Sequence, residues 1–204
     1  MIEFQEFQKM ARLTRRVIIT EKIDGTNAQI FIAPGYAGEP GAIRTWFDEA
    51  TATDMVMFAG SRTRWITPED DNAGFARWAK ENATELAKLG AGRHFGEWWG
   101  LGIQRGYGLK EKRFSLFNTE RWGQERPACC HVTPVLFDGI WDGSEPALAI
   151  DRLRMQGSRA SPGFMKPEGI VVFHVAANIG FKKTLDKDEM SKQQAAREAA
   201  TAAA

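Results

Sequence analysis

The chain has almost no cysteine, few histidines, and no apolar run long enough to matter to a lipid. Its two cysteines, Cys129 and Cys130, are adjacent. That excludes a disulfide scaffold and offers none of the CxxC or Cys/His spacings of a zinc site. The three histidines, His94, His131 and His174, are scattered, so no metal cluster is expected from them. No stretch approaches the ~18 apolar residues of a membrane span. The opening MIEFQEFQKMARLTRR carries acids early and lacks a continuous apolar core, so no signal peptide is expected. An excess of one charge is missing too: 27 Lys plus Arg stand against 26 Asp plus Glu. The chain is therefore no basic nucleic-acid coat, although balanced totals can hide a local basic face. Together these absences predict a reduced, cytoplasmic protein with no membrane partner. Its 204 residues are enough for one large domain that buries roughly 70% of its unfolded surface without staples.

What is present reads as α+β, with mostly antiparallel sheets and flanking helices. Residues 3–11 carry Phe4, Phe7 and Ala11 at helical spacing, which predicts a short amphipathic helix. Residues 17–32 predict two strands that meet at a turn near Asp24-Gly25, and 51–60 predicts another strand. PGYAGEPG at 34–41 is a loop. Thr67-Pro68-Glu69-Asp70 reads as a helix start, with Phe75, Trp78, Ala79, Leu86 and Leu89 as its stripe and Gly90 and Gly92 as its end. Strands are expected at 94–99 and 113–117 around the loop GLGIQRGYG, and at 132–137. A helix is expected at 146–155, and a closing hairpin from 169–175 and 178–183. The Ala-rich segment after Asp188 is expected to fray from helix into disorder. The domain boundaries predicted are 1–190, with 191–204 as a tail.

Lys22 sits in TEKIDGTNAQIFI, an otherwise strand-like run. A lysine among apolar strand residues is costly unless its amine is paired or neutralised. Desolvation and nearby cations turn such an amine into a nucleophile near neutral pH. Gly25 lets the backbone turn tightly or a ligand approach closely. On its own, the fragment reads equally as a surface hairpin with Asp-Gly at its tip.

Further along, a set of short segments falls in a fixed order. Lys22-Ile23-Asp24-Gly25 is followed by Ser61-Arg62, Phe95-Gly96-Glu97, Phe114-Ser115-Leu116-Phe117, Glu168-Gly169-Ile170-Val171 and Phe181-Lys182-Lys183. In this order they resemble the motifs of the covalent nucleotidyltransferase superfamily of ATP-dependent DNA ligases, RNA ligases and messenger-RNA capping enzymes. The resemblance covers about residues 15 to 185. It implies an adenylyltransferase (ligase catalytic) fold, ATP and magnesium or manganese as cofactors, and a lysyl-AMP intermediate on Lys22.

By the same resemblance, Glu168 holds a metal or its water and orients the lysine, while Glu97 accepts from ribose hydroxyls or faces the metal. Arg62 binds ribose or phosphate, Phe117 stacks on adenine, and Asn27 fixes the sugar-phosphate end. Glu21, Ile23, Asp24 and Gly25 complete the nucleotide-binding set, and Lys182 and Lys183 stabilise phosphoryl charge. The family's fifth motif separates its two lysines by one residue. Here Gly180 stands where the first would fall if Lys182 is the second. Read singly, Glu97 is an exposed strand end, Phe117 a core residue, and Arg62 with Arg64 a solvated face.

DNA ligases and capping enzymes usually carry arginine where this chain has Asn27. Lys-Ile-Asp-Gly-Thr-Asn instead resembles the RNA-ligase branch typified by phage double-strand-RNA-repairing enzymes. The resemblance therefore implies RNA repair, sealing 5′-phosphate to 3′-hydroxyl ends, with RNA ends or a nicked duplex as partner. About twenty residues follow Lys183, fewer than the appended domains of such ligases need. A bare nucleotidyltransferase domain is expected, with a partner supplying further nucleic-acid grip. Three alternatives stay open: an adenylyltransferase with a non-nucleic-acid acceptor, a DNA-ligase-like nick sealer, and a lapsed nucleotide- or RNA-binding module. Trp98, Trp99, Trp122 and Trp141 lie interleaved with Arg105, Lys110, Lys112, Arg113 and Arg121. They read equally as a stacking surface for nucleic acid and as core plus solvated charge.

Overall fold

The computed structural model describes residues 2–7 and 9–186. They form eleven strands and three α-helices, divided into two compact units that each carry one sheet.

The first unit holds the described residues up to Lys22 and those from Pro134 onward. Its sheet has the order β11-β10-β1-β9, built from β1 (Arg16–Lys22), β9 (Val135–Ile140), β10 (Gly169–His174) and β11 (Ile179–Thr184). Every neighbouring pair is antiparallel. Alternation along the strands turns Val17, Ile19, Ile170 and Val172 onto one face, where they bury against Ala149, Ile150 and Leu153 of α3 (Glu145–Gln156). Each such side chain contributes about 1.5–3 kcal/mol on burial. The buried Glu145 carboxylate accepts from the backbone N–H of Asp142 and Gly143, at 2.9 and 3.0 Å, and fixes the helix start.

The second unit runs from Ile23 to Thr133. Its strands are β2 (Thr26–Pro34), β3 (Arg44–Asp48), β4 (Thr53–Gly60), β5 (Trp65–Ile66), β6 (Gly92–Gly100), β7 (Lys112–Leu116) and β8 (Cys130–Val132). The order is β3-β4-β2-β6-β7-β8, with β5 paired to β4. All pairs are antiparallel except β7 with β8. Ala28, Ile30, Ile32, Met57 and Ala59 point to one face, which packs on Phe75, Ala76, Ala79 and Leu86 of α1 (Phe75–Glu81) and α2 (Ala83–Leu86). Asn27, Gln29 and Phe31 point to the other face.

Several expectations need correction. Residues 2–7 and 9–11 form no helix, and Phe4 and Phe7 are exposed. So short a segment does not hold a helix in water without burying its apolar face. The helix expected from Thr67 begins at Phe75. Thr67 and Asp70 close a turn instead, and the Asp71 carboxylate takes the N–H groups of Ala76 and Arg77. Asn82 then divides the helix, its side-chain amide donating to the Trp78 carbonyl. β1 and β2 do not form a hairpin, because they belong to different sheets. The strand expected at 132–137 is likewise two, β8 and β9. The segment after Asp188 lies outside the described residues. No helix among the described residues is long and apolar enough to cross a membrane.

Candidate active site

Lys22 is the last residue of β1 and ends the first of the two segments that make up the first unit. Its register partner on β10 is Gly169, so Glu168 lies just beyond the strand end, beside the lysine. The Lys22 Nζ donates to Glu168 Oε2 at 2.5 Å, with the lysine side chain 24% exposed and the glutamate 8%. Glu168 is itself held by the backbone, its carbonyl accepting from the Leu185 N–H at 2.9 Å. Gly169 is required for this pairing: a Cβ there would stand 2.1 Å from the Lys183 carbonyl oxygen. The amine is thus held at a strand terminus, partly open to water, against a carboxylate that water barely reaches.

Side chains alternate along a strand, so the register separates the two lysines of β11. Lys182 pairs with Val171 and through it with Thr20, on the face that carries Lys22. Lys183 pairs with Ile170 and through it with Glu21, on the α3 face. Glu21 is 1% exposed. Its carboxylate accepts from the Ser158 hydroxyl at 2.6 Å and from the Arg159 and Ala160 N–H groups at 2.7 and 2.9 Å. Burial pushes its carboxyl above the usual range, and the three donors only partly offset this. Its side chain anchors the 158–161 turn to the strand that presents Lys22.

In the second unit Ile23 is buried, and the backbone of Asp24-Gly25 lies against β6. Glu97 is 8% exposed and accepts from the Gly25 N–H at 3.0 Å and the Asn27 side-chain amide at 3.2 Å. Asn27 and Glu97 are direct cross-strand partners. Glycine at 25 is needed for close approach to protein: a Cβ would meet the Trp98 carbonyl oxygen at 2.5 Å and Trp99 Cβ at 2.7 Å. Asp24 accepts from Arg105 Nε at 3.0 Å, and its N–H donates to the Tyr107 hydroxyl at 2.9 Å. Phe117 follows β7, 41% exposed, with its N–H on the Phe95 carbonyl. Arg62 is exposed on the turn after β4, where its neighbour Arg64 is tied to Asp70 at 2.5 and 3.0 Å. Among the described residues no group of three or more His, Cys, Asp or Glu side chains is placed to hold a metal.

A model of the family described as RNA ligase matches residues 15–192. The chain belongs to the RNA ligase family. Comparison with curated proteins gives no significant match. Solved structures similar in fold include three of a Naegleria gruberi RNA ligase. A lysine-to-alanine variant with ATP and manganese is 17% identical, with TM-score 0.55, covering 86% of this chain and 52% of that one. The ligase with pyrophosphate is 17% identical, with TM-score 0.54, covering 84% and 50%. A glutamate-to-alanine variant with AMP and manganese is 18% identical, with TM-score 0.53, covering 83% and 49%. The chain thus spans about half the length of these ligase chains.

Within this RNA ligase family member the tryptophan-rich segments serve the core. Trp98 and Trp99 are each 1% exposed. Lys112 donates to the Ala73 carbonyl and Arg121 to the Leu89 carbonyl, while Arg113 pairs with Glu111. Arg105 is bound to Asp24, and the buried Trp98 and Trp99 rings offer no face for the stacking considered from the sequence. Sequence reasoning missed the clamp made by Arg105 and Tyr107. Tyr107 is 1% exposed and meets Trp99 edge-on at 5.0 Å. The available signal was the loop GLGIQRGYG, whose Gly102, Gly106 and Gly108, together with Gln104 and Tyr107, all take positive φ. The Ser158–Ala160 cradle of Glu21 carried no sequence signal.

Proposed function

We propose that residues 1–190 are the nucleotidyltransferase domain of an ATP-dependent RNA ligase, with 191–204 a tail, and that Lys22 carries AMP. The observation that supports this best is the ion pair between Lys22 and Glu168, made by residues of two separate motifs in a chain of the RNA ligase family. In this reading the ammonium proton leaves along the hydrogen bond to Glu168, and the neutral Nζ attacks the α-phosphorus of ATP. An N–P bond forms as the bond to the pyrophosphate oxygen breaks. The AMP then passes to an RNA 5′-phosphate, and attack by a 3′-hydroxyl seals the strand and releases AMP.

Lys182, on the face of Lys22, is the lysine we assign to phosphate. Lys183, on the opposite face, we assign to support of the sheet. Phe117 has the exposure that stacking on adenine requires. Glu97 and Asn27 are joined to each other and to Gly25, which suits a rigid contact to ribose, and Arg62 is exposed and suits a phosphate. Glu21 acts through the strand it anchors, and Asp24 through the clamp that holds it.

Magnesium keeps several waters and is usually held by one or two carboxylates plus substrate phosphates. Glu168 alone beside Lys22 fits that donor set, whereas both oxygens of Glu97 already accept from Gly25 and Asn27. The metal, when bound, screens the triphosphate charge and stabilises the departing pyrophosphate. RNA ends or a nicked duplex are the acceptor.

The test is sealing by adenylylated protein of matched nicks that differ in ribose or deoxyribose at the 3′-hydroxyl side. Sealing confined to ribose, falling steeply with added salt, supports the RNA assignment. Equal sealing of both leaves a general polynucleotide ligase, and sealing of neither points to a different acceptor.

A further inference from the structure

The open face of the second unit's sheet extends past the residues assigned to nucleotide. Along β2 and β6 the cross-strand pairs on that face are Asn27 with Glu97, Gln29 with Phe95, and Phe31 with Arg93. Phe58 lies opposite Phe31 on β4, and Trp65 opposite Gly60 on β5. At 3.3 Å per residue the row from Asn27 to Phe31 covers about 13 Å. It ends in a built cluster. The Trp65 ring lies 5.8 Å from Phe31 and 5.3 Å from Phe58. The Arg93 guanidinium lies 4.3 Å from the Phe31 centroid and 5.4 Å from that of Trp65, and donates to Gln29 at 3.1 Å.

These rings are not sealed into a core. Trp65 is 41% exposed and Phe95 52%, and Arg93 and Arg62 are exposed. Asp70 is paired with Arg64, and the Glu97 carboxylate is buried and held by Gly25 and Asn27, so Arg93 and Arg62 are the exposed cations beside the Trp65 cluster. Exposed indole and phenyl rings backed by a planar guanidinium suit unpaired bases, since every base has a π-face, and the guanidinium meets phosphate.

We propose that this row is a track for single-stranded RNA, in which an unpaired base stacks on Trp65 and Arg93 meets the phosphate beside it. The choice of RNA rests on the ligase reading above. The track places the strand on a rigid sheet continuous with Asn27 and Phe117, and it supplies grip from within this domain.

The test is binding of a short 5′-labelled single-stranded RNA to the full chain, followed by fluorescence anisotropy, with Lys22-AMP formation measured on the same samples. Trp65→Ala and Arg93→Ala should each weaken RNA binding about tenfold, within the range for losing one base-stacking residue. Trp65→Phe should retain most of the affinity, Arg93→Lys should fall between, and all four should form Lys22-AMP at the wild-type rate. Unchanged RNA affinity in both alanine variants overturns the track, as it would if the patch served a protein partner, and so does a wild-type chain that adenylylates but does not bind RNA. A wild-type chain that binds RNA through Trp65 yet never forms Lys22-AMP overturns the ligase reading and leaves the track standing.

Discussion

Removing the Glu168 carboxylate should slow adenylylation of Lys22 by about a hundredfold, the scale for losing one preorganised electrostatic group. The structure sets both the size and the control. Glu168 Oε2 lies 2.5 Å from Lys22 Nζ, and its side chain is 8% exposed, so little water stands ready to replace it. Breaking a fully buried pair costs about 3–5 kcal/mol of stability. Lys22 is 24% exposed, so the abandoned ammonium reaches water and the stability cost should shrink to about 1–2 kcal/mol. The rate loss should therefore exceed what unfolding explains. Glu168→Gln keeps the shape and removes the charge, and Glu168→Ala removes both. Both should fold, as urea unfolding would report, and both should lose single-turnover transfer of labelled AMP in magnesium. Wild-type transfer by the two variants, with intact folding, would refute a role for this carboxylate.

Gly25→Ala places a methyl 2.5 Å from the Trp98 carbonyl oxygen. It should cost at least about 1–3 kcal/mol of stability by overpacking, read as a lower urea midpoint, and weaken adenylylation with it. Tyr107→Phe strips the acceptor from the Asp24 N–H and should cost about 1–3 kcal/mol, the scale for an unsatisfied buried donor. Burial holds the His94 imidazole below its ordinary value of 6.5, despite its contact with the Gly90 carbonyl at 2.9 Å. The unfolded chain then takes up that proton first, so stability present above pH 6.5 is lost as pH falls toward the folded value. Urea midpoints should drop between pH 7.5 and 5.5, and His94→Gln should flatten that drop.

The strands were legible wherever alternation served one buried face, as in β1, β2 and β10, whose inward residues are Val17, Ile19, Ile30, Ile32, Ile170 and Val172. The sequence did not reveal that β1 and β2 diverge into separate sheets, because Asp24-Gly25 reads locally as a turn whichever partners follow. β3 was missed because its short RTWFD pattern is largely exposed. The helix from Thr67 was placed early because Thr-Pro-Glu-Asp is a genuine capping pattern that here closes a turn. Lys22 and Glu168 were legible as a pair only through motif order, being 146 residues apart. The two lysines of β11 could be told apart only by register, which fixes the face each one takes. The Arg105–Tyr107 clamp depends on a loop conformation built from several positive-φ residues, and composition hints at this without fixing where the side chains go.

Lys22 should become joined to AMP through its Nζ. Intact-mass spectrometry after incubation with ATP and magnesium should show one added AMP on the wild-type chain and none on Lys22→Ala, with peptide mapping placing the adduct on Lys22. An adduct that persists in Lys22→Ala, or a wild-type chain that takes up no AMP, would contradict the account.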